Sequence, residues 1–94
     1  MSKEAYLKKA EAKIEEQTAK LDELRAKAKG ASADTQLEAE KQVGELEEAL
    51  RKAKRQLDDI AGAAEDAWEE VGKRFDRAWE DVSSSAQRLL SRFS

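Results

Sequence analysis

Between Ser2 and Lys29 the apolar positions fall at Leu7, Ala10, Ile14, Leu21, Leu24 and Ala28, with Gln17 the one polar member of the series. Steps of three and four are the spacing of a heptad seam, so the segment predicts a helix with one narrow apolar stripe. Ser2 stands where an N-cap is needed, and Glu4/Lys8, Glu16/Lys20 and Glu23/Lys27 set acid before base at i,i+4. The stretch Gly30-Ala31-Ser32-Ala33-Asp34 has no large apolar residue and combines a C-cap residue with two N-cap residues. Thr35-Gln36-Leu37-Glu38 matches a capping box. A second seam follows through Val43, Leu46, Leu50, Ala53, Leu57, Ile60 and Ala64, out of phase with the first.

The slip has two readings: one long helix with a four-residue stutter, or an antiparallel hairpin whose arms need share no phase. In antiparallel arms, facing residues have position numbers of constant sum. Leu7/Ile60, Ala10/Leu57, Ile14/Ala53, Gln17/Leu50, Leu21/Leu46, Leu24/Val43 and Ala28/Ala39 all sum to 67, which places the pivot between Ala33 and Asp34. Residues 1–29 carry eight bases and six acids and residues 34–61 five and eight, a mild complementarity. The hairpin is the preferred reading, with arms near 3–29 and 35–61 and a turn near 30–34.

Beyond Ala61-Gly62-Ala63-Ala64, which either hinges or continues as helix, the pattern changes. Ala67-Trp68-Glu69-Glu70-Val71 is echoed eleven residues later by Ala78-Trp79-Glu80-Asp81-Val82. Eleven residues return to nearly the same helical face, within about 20°. Trp68, Val71, Phe75, Trp79, Val82, Ala86, Leu89, Leu90 and Phe93 therefore form one stripe, opposite Glu69, Glu70, Lys73, Arg74, Arg77, Glu80, Asp81, Arg88 and Arg92, with Ser83-Ser84-Ser85 interrupting the polar side. Each large side chain on such a stripe gains about 1.5–3 kcal/mol on leaving water, so the stripe requires a cover. A protein cover arises if the segment folds back as the third helix of a bundle or pairs with another copy. The alternative is a lipid surface, where Trp-bearing amphipathic helices lie among headgroups. The segment near 65–93 is thus the expected association surface.

Composition supports the helical reading. Ala, Glu, Lys, Leu and Arg make up 58 of 94 residues, Pro is absent, and 18 bases nearly balance 21 acids. His and Cys are also absent, which removes imidazole proton shuttles, thiolate nucleophiles and the usual zinc ligands. The pairs Glu15/Glu16, Glu47/Glu48, Asp58/Asp59 and Glu69/Glu70 are sequence neighbours that point about 100° apart on a helix and do not converge on a substrate. No phosphate loop, calcium loop or nucleophile elbow occurs. Lys8-Lys9 and Arg51-Lys52-Ala53-Lys54-Arg55 are the densest basic runs; acids flank the latter, so no nucleic-acid partner is expected. Nor is an enzymatic activity, cofactor, metal or small-molecule substrate. The Met-Ser-Lys-Glu start lacks an apolar leader, and no run of about 18 apolar residues is present, so a cytoplasmic chain, or one peripheral at a membrane, is expected. Gln17 at the seam has two readings, a register-fixing amide or a partly wet edge.

The tandem Asp66-Ala67-Trp68-Glu69-Glu70-Val71 and Arg77-Ala78-Trp79-Glu80-Asp81-Val82, after a coiled-coil arm and an Ala/Lys/Glu-rich middle, resembles a family of small bacterial coiled-coil proteins of the stress-response type. The likeness spans most of the chain and rests on the Trp tandem. It implies a cytoplasmic, non-enzymatic, stress-linked role and transfers no functional residue. Gly30 departs from the continuous helix-forming residues of that pattern, which favours the hairpin. The eleven-residue period is also similar to that of exchangeable apolipoproteins.

The expectation is therefore an all-α chain: a coiled-coil hairpin over 1–61, and an amphipathic helix over 62–94 that either completes a three-helix bundle or forms oligomers.

Overall fold

A computed structural model describes residues 2–93 as three helices, α1 (Lys3–Lys29), α2 (Ala33–Gly62) and α3 (Trp68–Ser91), with no strand among them. Residues 1 and 94, the outer ends of the two expected segments, lie outside the described residues. Ser2 caps α1 as its sequence implies, its Oγ accepting from the Ala5 N–H at 3.2 Å. The chain leaves α1 at Gly30, whose N–H donates to the Lys27 carbonyl at 3.2 Å. The turn is shorter than expected. Ser32 is the N-cap of α2, and Thr35, read as the start of a capping box, already lies inside the helix with its Oγ1 accepting from the Ser32 hydroxyl at 3.1 Å. The earlier cap wins because Asp34 then falls in the first turn, where the helix dipole favours an acid.

The two arms run antiparallel. Arg25 near the end of α1 pairs with Glu47 in the first half of α2, and Lys3 at the start of α1 reaches the Ala63 carbonyl just past the end of α2. Along the expected seam, Ile14, Leu21, Leu24, Val43, Leu46, Leu50 and Ile60 are buried, as are Ala10, Ala28 and Ala53, while Leu7 and Leu57 are half-buried. Ala64, counted as the last member of the second seam, lies beyond the helix end and is exposed.

α3 folds back along the pair. Arg88 faces Glu45 at 3.9 Å and Arg92 faces Glu38 at 3.5 Å, so α3 is antiparallel to α2 and parallel to α1. The result is an up-down-up bundle of 51 × 18 × 16 Å. α2 occupies the middle, packing most extensively on α3 and next on α1, whereas α1 and α3 touch least. This follows from the width of the apolar face of α2. Besides the seam residues it buries Ala49, which faces Ser84 and Ser85 of α3, while Leu50 one step on faces Thr18 and Leu21 of α1. Two adjacent faces, one per neighbour, give all three helices one continuous core.

Candidate functional site on the third helix

Every residue of the expected association stripe points into the bundle. Trp68, Phe75, Val82, Ala86 and Leu89 are buried, and Val71, Trp79, Leu90 and Phe93 are half-buried against the same core. The cover is the protein's own α2 and α1. The eleven-residue echo has a geometric consequence here. Its residual rotation carries Trp79 from the position of Trp68 toward the flank, so Trp68 is buried at 6 % exposure and Trp79 remains half-open with Lys13 Nζ 6.0 Å from its ring centroid.

At the start of α3 the aromatic residues converge around Tyr6 of α1. The Tyr6 ring lies 5.5 Å from that of Trp68 at 50° and 6.2 Å from that of Phe75, edge to face, and Phe75 in turn stacks on Trp79 at 5.8 Å and 17°. Offset and edge-on arrangements let the positive ring edge meet the negative face. The ring passes over Gly72, where an added Cβ would stand 3.5 Å from Tyr6 Cζ, an ordinary van der Waals contact, so the approach does not depend on glycine. The Tyr6 hydroxyl donates to Asp76 Oδ1 at 2.7 Å and lies 3.0 Å from the Gly72 carbonyl, sharing one proton between two acceptors. Its neighbour Lys3 donates from Nζ to the Ala63 carbonyl at 2.8 Å. Two residues of α1 thus pin the corner between α2 and α3.

Burial, then the hydrogen bond to Asp76 and its charge, push the Tyr6 phenol above its ordinary value of about 10. The folded state favours the neutral phenol, so this contribution is complete below the ordinary pKa and is lost as pH climbs above it. Tyr6→Phe, which keeps the ring and removes the hydroxyl, is expected to cost about 1 kcal/mol at neutral pH. Between about pH 9 and about pH 11 the wild type is expected to lose more stability than the variant. Urea titrations of both proteins across that range check this; parallel losses would show that the phenol does not titrate with unfolding.

Along the rest of α3, small and polar residues line the edge of the apolar face that packs on α2. Ser85 is buried, its Oγ accepting from Arg88 Nη2 at 3.3 Å, and Arg92 Nε donates to Gln42 Oε1 at 2.9 Å. Gly44, Ala49, Ser84 and Ser85 line an open trough of about 640 Å³ between the helices, rimmed by Lys41, Glu45, Lys52 and Arg88. Charges of both signs alternate around it, and no group of acids that could hold a metal ion occurs among the described residues. No described helix is long and apolar enough to cross a membrane.

Sequence reasoning gave the apolar stripe and the hairpin seam but passed over Tyr6, Lys3, Gly72 and Ser85. Tyr6 sits one residue before Leu7, on the flank of the seam, and its signal was being the one aromatic residue outside the last third of the chain. Ser85 was read as part of a polar interruption, although it stands one position before Ala86, on the edge of the apolar face. Gln17 lies at the seam as expected; its Oε1 and that of Gln56 are buried without a hydrogen-bond partner.

Compared with known proteins, the sequence matches no family model, no curated protein and no solved structure.

Proposed function

We propose that this chain is a non-enzymatic, self-associating helical protein with a scaffolding or adaptor role, in keeping with the stress-linked role that its resemblance implies. The observation that carries this reading is the uneven build of the bundle. The aromatic side chains concentrate on α3, and α3 is held mainly by α2, with α1 touching it least. Whatever surface of α2 receives α3 within one chain is present on every other copy, so the same contacts serve association without any new complementarity. The reading as a binding rather than a catalytic protein draws on the lack of His and Cys and on acids that stand apart on solvated faces.

Light scattering across a wide range of concentration tests it. The expected result is a mass that rises from one chain to two or more; a single-chain mass throughout overturns the proposal.

A second reading has one observation in its favour: α3 presents a single unbroken apolar face over 24 residues, about 36 Å, with two Trp on it. On that reading α3 leaves the bundle for a lipid surface. Adding phosphatidylcholine or phosphatidylglycerol vesicles in the same experiment distinguishes the two, because transfer to lipid shifts Trp emission to the blue and removes the protein into the vesicle fraction.

A further inference from the structure

The two corners of the bundle are built from different chemistry. At the first, Gly30 ends α1 after Lys27 and Lys29 in its last turn, Ser32 stands at the N-cap of α2 with its hydroxyl turned to Thr35 Oγ1 and not to a backbone N–H, and Asp34 occupies the first turn of α2. Each of these residue types is suited to its place. The second corner, Ala63 to Ala67, has less of this: Glu69 and Glu70 supply acids to the first turn of α3, but the end of α2 and the N-cap of α3 lack the matching residues. α2 ends with no base in its last turn and with Asp58 and Asp59 close to the negative end of its dipole. Ala67 stands at the N-cap of α3 and offers no side-chain acceptor. Ala63, of the best helix-forming type, is held extended at φ −77° and ψ 149°. The corner contains no Pro, and no described residue has positive φ.

The apolar pattern also runs straight through the bend. Ile60, Ala64, Trp68, Val71 and Phe75 follow one another at steps of four, four, three and four, the spacing of one continuous helix. A Cβ added at Gly62 would meet nothing within 4 Å. Within the corner only backbone bonds act, from Ala63 N–H to the Ile60 carbonyl and from Ala67 N–H to the Ala64 carbonyl; the side chains that hold it come from outside, Lys3 bonded to the Ala63 carbonyl and Tyr6 clamped on Gly72 and Asp76.

We infer that this corner is a hinge that straightens to join α2 and α3 into one helix, and that two copies of the chain then exchange α3. The inference rests on the self-association reading and specifies its geometry. A continuous helix over 33–91 is about 88 Å long. Two such helices lie antiparallel across a two-fold axis near residue 65, and each α3 docks on the α2 and α1 of the other chain. The contacts of α3 with the bundle are remade between chains, including the Tyr6, Trp68 and Phe75 cluster and the Arg88–Glu45 pair, while the α1–α2 contacts stay within each chain and the Lys3 bond to the Ala63 carbonyl gives way to a helical one. Ala64, exposed in the closed form, joins the apolar stripe in the open one. Helix-forming residues held in a short bend against their preference are the local conflict that favours such exchange.

The chain has no cysteine, so introduced thiols report the exchange cleanly. Glu45→Cys and Arg88→Cys are prepared as separate proteins, mixed in denaturant, refolded together and treated with a short flexible bismaleimide, because it is the ends of the long Arg88 and Glu45 side chains that lie 3.9 Å apart, a gap too wide for two cysteines to close directly. The expected product is a cross-link joining one chain of each kind, whereas the mismatched mixture of Glu45→Cys with Lys73→Cys stays unlinked. If light scattering shows association but the matched mixture does not link, or both mixtures link equally, the hinge inference fails and self-association stands. If scattering shows one chain at every concentration, both fall. Gly62→Ala is expected to shift the balance several-fold toward the dimer by favouring continuous helix; an unchanged or reduced dimer fraction counts against the hinge.

Discussion

Phe75→Ala is expected to lower the free energy of unfolding by about 3–5 kcal/mol. Phe75 is 1 % exposed, and its ring sits between the edge of Tyr6 and the face of Trp79. Truncation removes the transfer energy of a large ring and leaves a void at the meeting point of α1 and α3. Those two helices share little other contact, so the void has few neighbours able to collapse into it. A domain of this length has roughly 5–14 kcal/mol of stability in all, so the loss is a large share of the total. Urea unfolding followed by circular dichroism checks this through the midpoint, with the slope near its wild-type value. A shift worth less than about 1 kcal/mol would mean that the aromatic cluster does not hold α3 to the bundle.

The opposite sign is expected of Gln17→Leu, a gain of about 1–2 kcal/mol. The Gln17 Oε1 is buried without a hydrogen-bond donor, which forfeits its hydration for nothing in return. Leucine has nearly the same volume and stands at the equivalent layer of the seam opposite Leu50. The same urea titration reads the gain, and a loss instead would show that the amide has a donor in solution. If the amide fixes the register of the arms, light scattering of Gln17→Leu is expected to reveal species beyond those the wild type forms at the same concentration. Gln56 presents the same defect on the neighbouring helix, so two polar flaws lie within one narrow core.

The hairpin was legible because antiparallel pairing imposes arithmetic on the sequence. Seam positions with a constant sum of 67 become buried or half-buried layers, from Leu7 with Ile60 at one end to Ala28 with Ala39 at the other. The turn was legible to within a few residues, and the error there was chemical: two cap candidates compete, and Ser32 precedes Thr35. The face of α3 was legible as well, since an apolar stripe at helical spacing marks what must leave water. Its cover was not. Periodicity fixes a face but carries no information on what meets it, so a bundle, an oligomer and a lipid surface all stayed open for Trp68 and Phe75. The features that decide the matter lie off the stripes. Ala49 widens α2 into a two-sided helix, Ser85 extends the contact of α3, and Tyr6 reaches across from the flank of α1 to Asp76. Polar or small residues at the edge of a stripe look like solvent positions until a third element defines the edge as an interface.

The central position of α2 bears on how the protein acquires its shape. Each large interface joins helices adjacent in the sequence, and only the slender α1–α3 contact spans the chain. Loop closure therefore costs little before contacts repay it, and folding is expected within microseconds to milliseconds, as for other bundles of local topology. As a nascent chain, α1 and α2 can pair before α3 emerges, leaving the broad face of α2 uncovered for the time that about thirty further residues take to be made, a second or more at 5–20 residues per second. On a polysome, the first aromatic helix to reach that face need not belong to the same chain.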